Sequence, residues 1–183
     1  VKTNTTNPYY QTFDLEKSRW GEGHITIGKE KYLMMQDFFP TSSSAFATEQ
    51  TVEAVYAADA AQVASQNVQG KLLVTLLSTP AEMQTKMRGF TAAAEKAGAK
   101  GVVFVMDAEA FRNMSERFSH RLKEPSVAPK GGSTRPVSLM ATPSVGASLL
   151  GTTPDKLMQA GQPTAATTAA TSFNPSKDVK VLT

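Results

Sequence analysis

GKLLVTLLSTPAEMQTKMRGFTAAAEKAGAKGVVFVMD, residues Gly70–Asp107, holds two short apolar runs separated by a helical pattern. Leu72–Leu77 and Val102–Met106 have the length and the flanking glycines of fully buried strands. Between them Met83, Met87, Phe90, Ala94 and Ala97 recur at helical spacing, with Glu82, Lys86, Glu95 and Lys96 largely outside that face. Thr79-Pro80-Ala81-Glu82 has the form of a capping box with proline at the first helical position, and Gly98 suits the left-handed residue that ends a helix. Strand, helix and strand in this order predict a parallel crossover unit, which sterics make right-handed.

Working outward, Asp107 is an N-cap for a second amphipathic helix carrying Phe111, Met114, Phe118 and Leu122. Glu124–Arg135, with Pro125, Pro129, Gly131 and Gly132, reads as an exposed basic loop. Pro136–Ala141 reads as a strand, followed by short helices over Pro143–Leu150 and from Thr153 to Gly161. The Ala/Thr-rich segment after Gln162, the Asn174-Pro175 turn and Val179–Leu182 predict a terminal hairpin. On the other side, Tyr9, Tyr10, Phe13 and Leu15 form an aromatic extended segment behind a polar arm. Gly23–Gly28 and Tyr32–Met35 flank the charged turn Lys29–Lys31 as a hairpin. Asp37–Ser44 breaks regularity, Thr51–Ala57 reads as one strand, and Ala58–Asn67 as a connector.

The whole is predicted to be α/β: a β-rich sandwich or open barrel with a right-handed βαβ unit and two to four flanking helices. At 183 residues and 40% hydrophobic content the chain can bury one real core. Cysteine is absent, which excludes disulfide and thiol chemistry. No apolar run reaches the roughly 18 residues of a membrane span.

Net charge is only +3, and the excess is local. Arg112, Arg117, Arg121, Lys123, Lys130 and Arg135 face only Glu116 and Glu124 within their stretch, making a candidate basic surface. No aromatic residues interleave with the loop charges, which argues against nucleic acid and for a solvated face. His24 and His120 lack metal-ligand spacing, although Glu116 stands one turn before His120. Gly131-Gly132-Ser133-Thr134-Arg135 is not a nucleophile elbow, and no phosphate loop occurs. Tyr9, Tyr10 and Trp20 are candidate interface residues, or else close one end of the core.

Asn67-Val68-Gln69-Gly70-Lys71-Leu72-Leu73-Val74, the helix ending Ala93-Ala94-Glu95-Lys96-Ala97-Gly98-Ala99-Lys100-Gly101-Val102-Val103, and Arg135-Pro136-Val137-Ser138-Leu139 followed by Val145–Leu150 resemble, in order, the protease-associated domain. Asn7–Leu15 and Phe38–Tyr56 are similar to the lead-in of secreted zinc aminopeptidases of the bacterial leucyl aminopeptidase and glutamate carboxypeptidase type, in which such a domain is inserted into the catalytic domain. The His-x-Asp and Glu-Glu pairs that carry zinc and the general base in that family do not occur in this sequence. The resemblance therefore implies a noncatalytic accessory domain with no cofactor of its own, zinc belonging to a catalytic domain outside this sequence. Residues 1–20 would be an arm and strand joining that domain, and 21–183 one domain with a basic helix-loop insertion at about 107–135. Its implied partners are the catalytic peptidase domain and peptide or protein substrates, and its implied location is secreted, periplasmic or cell-surface. A protein-interaction or sorting module, and a small enzyme using His120 and Glu116, are the other readings. In an inserted domain Tyr9–Leu15 and Val179–Leu182 should lie side by side.

Overall fold

The computed structural model describes residues 15–42, 50–77, 80–129, 135–160, 171–174 and 177–182. In chain order the strands are β1 (Leu15–Trp20), β2 (His24–Ile27), β3 (Glu30–Leu33), β4 (Phe38–Pro40), β5 (Gln50–Val52) and β6 (Ala54–Tyr56), then β7 (Leu72–Leu76), β8 (Gly101–Val105), β9 (Ser126–Pro129), β10 (Val137–Ala141), β11 (Thr171–Asn174) and β12 (Lys177–Leu182). The helices are α1 (Ala60–Ser65), α2 (Pro80–Lys96), α3 (Ala108–Lys123), α4 (Pro143–Leu149) and α5 (Pro154–Ala160).

The Gly70–Asp107 stretch forms the middle of a five-stranded sheet of order β4-β10-β8-β7-β6. β7 and β8 are parallel neighbours, Leu72 opposite Gly101 and Leu76 opposite Val105. β6 joins β7 and β8 joins β10 in the same parallel sense, and β4 closes one edge antiparallel. Three consecutive crossovers, through α1, α2 and α3, thus build the sheet, and all three helices pack on one face. That face buries Leu73, Val102, Phe104, Met140 and Phe39 against Val63 of α1, Phe90 and Ala94 of α2 and Phe111 of α3. The opposite face, with Leu72, Val74, Val103, Val105 and Leu139, packs on Ile25, Ile27 and Val52, and on Val145 and Leu157 of α4 and α5. Ile25, Ile27 and Val52 come from a second, four-stranded antiparallel sheet, β3-β2-β11-β5. The fold is α/β, with the mixed sheet between a helical layer and a layer of sheet plus short helices.

The end of α2 shows how local chemistry sets the frame. Gly98, at φ +72, donates its N–H to Glu95 O at 3.2 Å, and Ala99 N–H reaches Ala94 O at 2.9 Å, the paired bonds of a Schellman motif. The chain then turns into β8 at Gly101, where a Cβ would sit 2.8 Å from Leu72 Cδ2 and 3.0 Å from the Val137 carbonyl oxygen. Only glycine lets β7, β8 and β10 meet there. Asp107 caps α3 as expected, accepting the N–H groups of Glu109 and Ala110 at 3.0 and 2.9 Å. The Thr79 side of the expected capping box lies outside the described residues.

Four expectations are corrected. Phe38–Pro40 is not a break but a buried edge strand. Thr51–Ala57 is two strands: β5 joins the four-stranded sheet and β6 the five-stranded one. The supposed loop Glu124–Arg135 contains β9, which pairs with β1. β11 and β12 are not a hairpin, since they add to different sheets. The third sheet, β12-β1-β9, sets Leu15 opposite Leu182. Of the expected Tyr9–Leu15 strand only Leu15 is described, so the chain-end pairing runs through Leu15–Trp20 instead.

Candidate functional site

β1 ends at Trp20, and Gly21-Glu22-Gly23 carries the chain into β2. Beyond β3 the chain folds into a tight turn that Asp37 holds: its carboxylate accepts Leu33 N–H at 2.8 Å, while its own N–H donates to Leu33 O at 2.9 Å. Inside that turn Met35 adopts φ 71, a left-handed conformation uncommon for a side chain of this size, and its N–H reaches Phe38 O at 2.7 Å. The half-buried Met34 and Met35 therefore stand beside Trp20, and Leu122 and Lys123 from the last turn of α3 complete an open groove of about 660 Å³. Leu33 on its rim is 41% exposed. An apolar floor with Arg19, Glu22 and Lys123 at its margins can hold a peptide or a protein loop by burial and orient it by charge. Sequence reading singled out Trp20 but missed the methionines, because Leu33-Met34-Met35 passes for the end of a strand. Tyr9 and Tyr10 lie outside the described residues.

The basic residues do not converge. Arg112, Arg117, Arg121 and Lys123 are exposed on α3, and the Arg121 guanidinium lies 5.8 Å from the centroid of the Phe118 ring. Arg117 borders a depression shared with Asp107, Glu109 and Glu116, so its surroundings are mixed in charge. Lys123 belongs to the Trp20 groove, and Arg135 stands before β10 beside α2. Lys130 lies outside the described residues. His120 and Glu116 are both exposed on α3 and His24 is half-buried in β2. Among the described residues no cluster of three or more His, Asp or Glu could hold a metal ion.

The carboxyl ends of parallel strands are the usual ligand position in such sheets. Here that edge holds a cavity of about 380 Å³ near Tyr56, Leu77, Lys86 and Asp107. Its charged groups are engaged in the fold: Lys86 Nζ donates to Leu76 O at 2.7 Å, and Asp107 caps α3. Burial, and then the nearby Asp59 charge, pushes the Tyr56 phenol up.

A further polar cluster ties β3 to α4. Tyr32 donates to the Glu30 carboxylate, Ser148 donates to the same Glu30 Oε2 at 3.1 Å, and the Tyr32 and Ser148 hydroxyls are themselves in contact. The bond from Tyr32, then that from Ser148, holds the Glu30 carboxyl below the usual glutamate range. Burial, followed by the Glu30 bond, raises the Tyr32 phenol. This cluster is invisible in the sequence because Ser148 is remote from β3.

The geometry defines an α/β domain that carries an open groove of mixed apolar and charged lining beside Trp20. No protein-family model and no curated protein matches the chain. Among solved structures it is similar to the aminopeptidase from Aneurinibacillus sp. strain AM-1, at 17% identity and a TM-score of 0.48, over 93% of this chain. The chain spans 36% of that structure's length.

Proposed function

We propose that this chain is a noncatalytic accessory domain of the protease-associated type, bordering the active site of a zinc-dependent exopeptidase and controlling how peptide substrates enter or lie. One structural observation supports this beyond the sequence resemblance. The first and last described strands, β1 and β12, are antiparallel neighbours, with Leu15 opposite Leu182. A host domain could therefore send the chain out and receive it back at one point. In this reading the zinc belongs to the host, the parent protein is secreted, periplasmic or cell-surface, and the Trp20 groove faces the host or the peptide.

The test is a panel of aminoacyl anilides and short peptides incubated with the chain, with and without added zinc. No turnover and no stoichiometric zinc are expected; zinc-dependent hydrolysis would overturn the proposal. Reading the gene beyond Thr183 adds a second check, since a host peptidase requires a His-x-Asp pair and a Glu-Glu pair outside this stretch. The exposed Leu33 and the groove beside it also suit a protein-interaction module without a peptidase. Saturable binding to a protein other than a linked peptidase, lost on Trp20→Ala, would favour that second reading.

A further inference from the structure

The cavity of about 380 Å³ at the carboxyl ends of the parallel strands has an apolar wall of Leu76, Leu77 and the part-exposed Met158. Two opposite charges line it as well, Lys86 from α2 and Asp107 just beyond β8. The backbone fixes both. Lys86 Nζ donates to Leu76 O, the last carbonyl of β7, at 2.7 Å. Asp107 Oδ1 accepts the N–H groups of Glu109 and Ala110. Here β7 and β8 are neighbours, with Leu76 opposite Val105 and Leu77 N–H donating to Val105 O at 2.8 Å. The two anchors therefore stand on adjacent strand ends.

Those bonds hold the two groups without exhausting them. An ammonium carries several N–H donors and a carboxylate two acceptor oxygens, so Lys86 keeps its other donors and Asp107 keeps Oδ2. Nor do the two neutralise each other, since no ion pair joins Lys86 or Asp107 to any described residue. A cation and an anion held apart on one cavity, beside an apolar wall, match a molecule that carries both charges and an apolar side chain.

We infer that this cavity binds a small zwitterion with an apolar side chain, a free amino acid or a dipeptide. Its carboxylate meets Lys86, its ammonium meets Asp107 Oδ2, and its side chain lies against Leu76, Leu77 and Met158. The site is separate from the Trp20 groove and does not depend on the peptidase reading.

Titration of the chain with L-leucine, and separately with L-leucyl-L-leucine, tests this by calorimetry and by amide NMR shifts at constant ionic strength. Saturable binding is expected for at least one of them, with shifts centred on the Leu77 and Asp107 amides. Leucine alone would identify a single amino acid as the ligand and the dipeptide alone a dipeptide, while binding of both would show that the cavity admits either length. N-acetyl-L-leucine lacks the ammonium and L-leucinamide the carboxylate. Each should bind at least about tenfold more weakly than leucine, the usual effect of losing one charge-assisted bond. Lys86→Gln retains a donor for Leu76 O, and Asp107→Asn retains a side chain able to cap α3. Either should weaken the zwitterion about tenfold by the same loss, and Arg112→Ala on α3 should leave it unchanged. The proposal is overturned if neither zwitterion saturates at tens of millimolar, if the shifts map elsewhere, or if the singly charged analogues bind the parent protein as tightly as the zwitterion. It is equally overturned if Lys86→Gln and Asp107→Asn behave like Arg112→Ala in variants whose melting curves match the parent.

Discussion

Gly146 is the residue on which the contact between α4 and the central sheet depends. A Cβ there would lie 2.5 and 3.1 Å from the two γ-methyls of Val105 and 3.0 Å from Leu157 Cδ2. Rotating Val105 cannot clear both methyls, so the backbone of α4 must shift. Gly146→Ala is expected to destabilise the protein by about 1–3 kcal/mol in urea unfolding, the usual range for overpacking. Gly89 is the contrast: it is exposed within α2 and a Cβ there meets nothing within 4 Å. Gly89→Ala should stabilise by about 0.5–1 kcal/mol through the reduced freedom of the unfolded chain. Equal effects at the two positions would mean that α4 does not approach β8 as closely as described.

Glu30 carries a pH dependence of defined sign. Its folded pKa lies below its unfolded one, because Tyr32 and Ser148 donate to the ionised carboxylate. Its contribution is therefore present above the ordinary glutamate value and is lost as pH falls through the lower folded value. Calorimetric melting across the acid range should show the Tm difference between the parent and Glu30→Gln shrinking as pH drops. A constant difference would sink the assignment. Nothing in the spacing of Glu30, Tyr32 and Ser148 announces this cluster, since Ser148 lies 116 positions from Tyr32 in the chain.

Among the elements, α2, β7, β8 and α3 were readable because each carries its own local evidence: a buried run, a 3.6-residue stripe, a cap. β4 carried none. Asp37-Phe38-Phe39-Pro40 resembles a breaker, yet proline is tolerated on an edge strand, and β4 stands at the edge of its sheet beside β10. Once there, Phe39 is fully buried, with ring centroids 5.3 Å from Phe111 and 5.7 Å from Phe118. Phe39→Ala should cost about 3–5 kcal/mol, measured by chemical denaturation. A loss under about 1 kcal/mol would show that β4 does not carry the packing of α3. The split of Thr51–Ala57 has a similar cause. Its β-prone sequence continues across Glu53, and only the parallel pairing of Ala54 with Leu72 draws the second half into the other sheet. β9 escaped notice because its partner, β1, is more than a hundred positions away in the chain.

At the scale of the whole molecule, the pairing of β1 with β12 is the feature on which the insertion proposal leans. Its register makes a direct test, because this chain has no cysteine to compete. Lys17 faces Lys180 and Glu16 faces Val181 across the two strands. Opposed residues of an antiparallel pair alternate between Cα separations of about 4.5 and 5.5 Å, both within reach of a disulfide. Two double variants, Lys17→Cys with Lys180→Cys and Glu16→Cys with Val181→Cys, therefore cover both kinds of site. At least one should oxidise in air to a species that migrates faster on non-reducing gels. A bridge closing so long a loop should stabilise the oxidised form by about 2–4 kcal/mol relative to its reduced state. If neither pair crosslinks in folded protein, the strands are not neighbours in this register and a common entry and exit point loses its structural support. The peptidase-accessory proposal would then rest on the sequence resemblance alone. If one does, the crosslinked protein can be set into a peptidase host, where tying the two strands together should leave peptide hydrolysis intact, because in an inserted domain they already travel side by side.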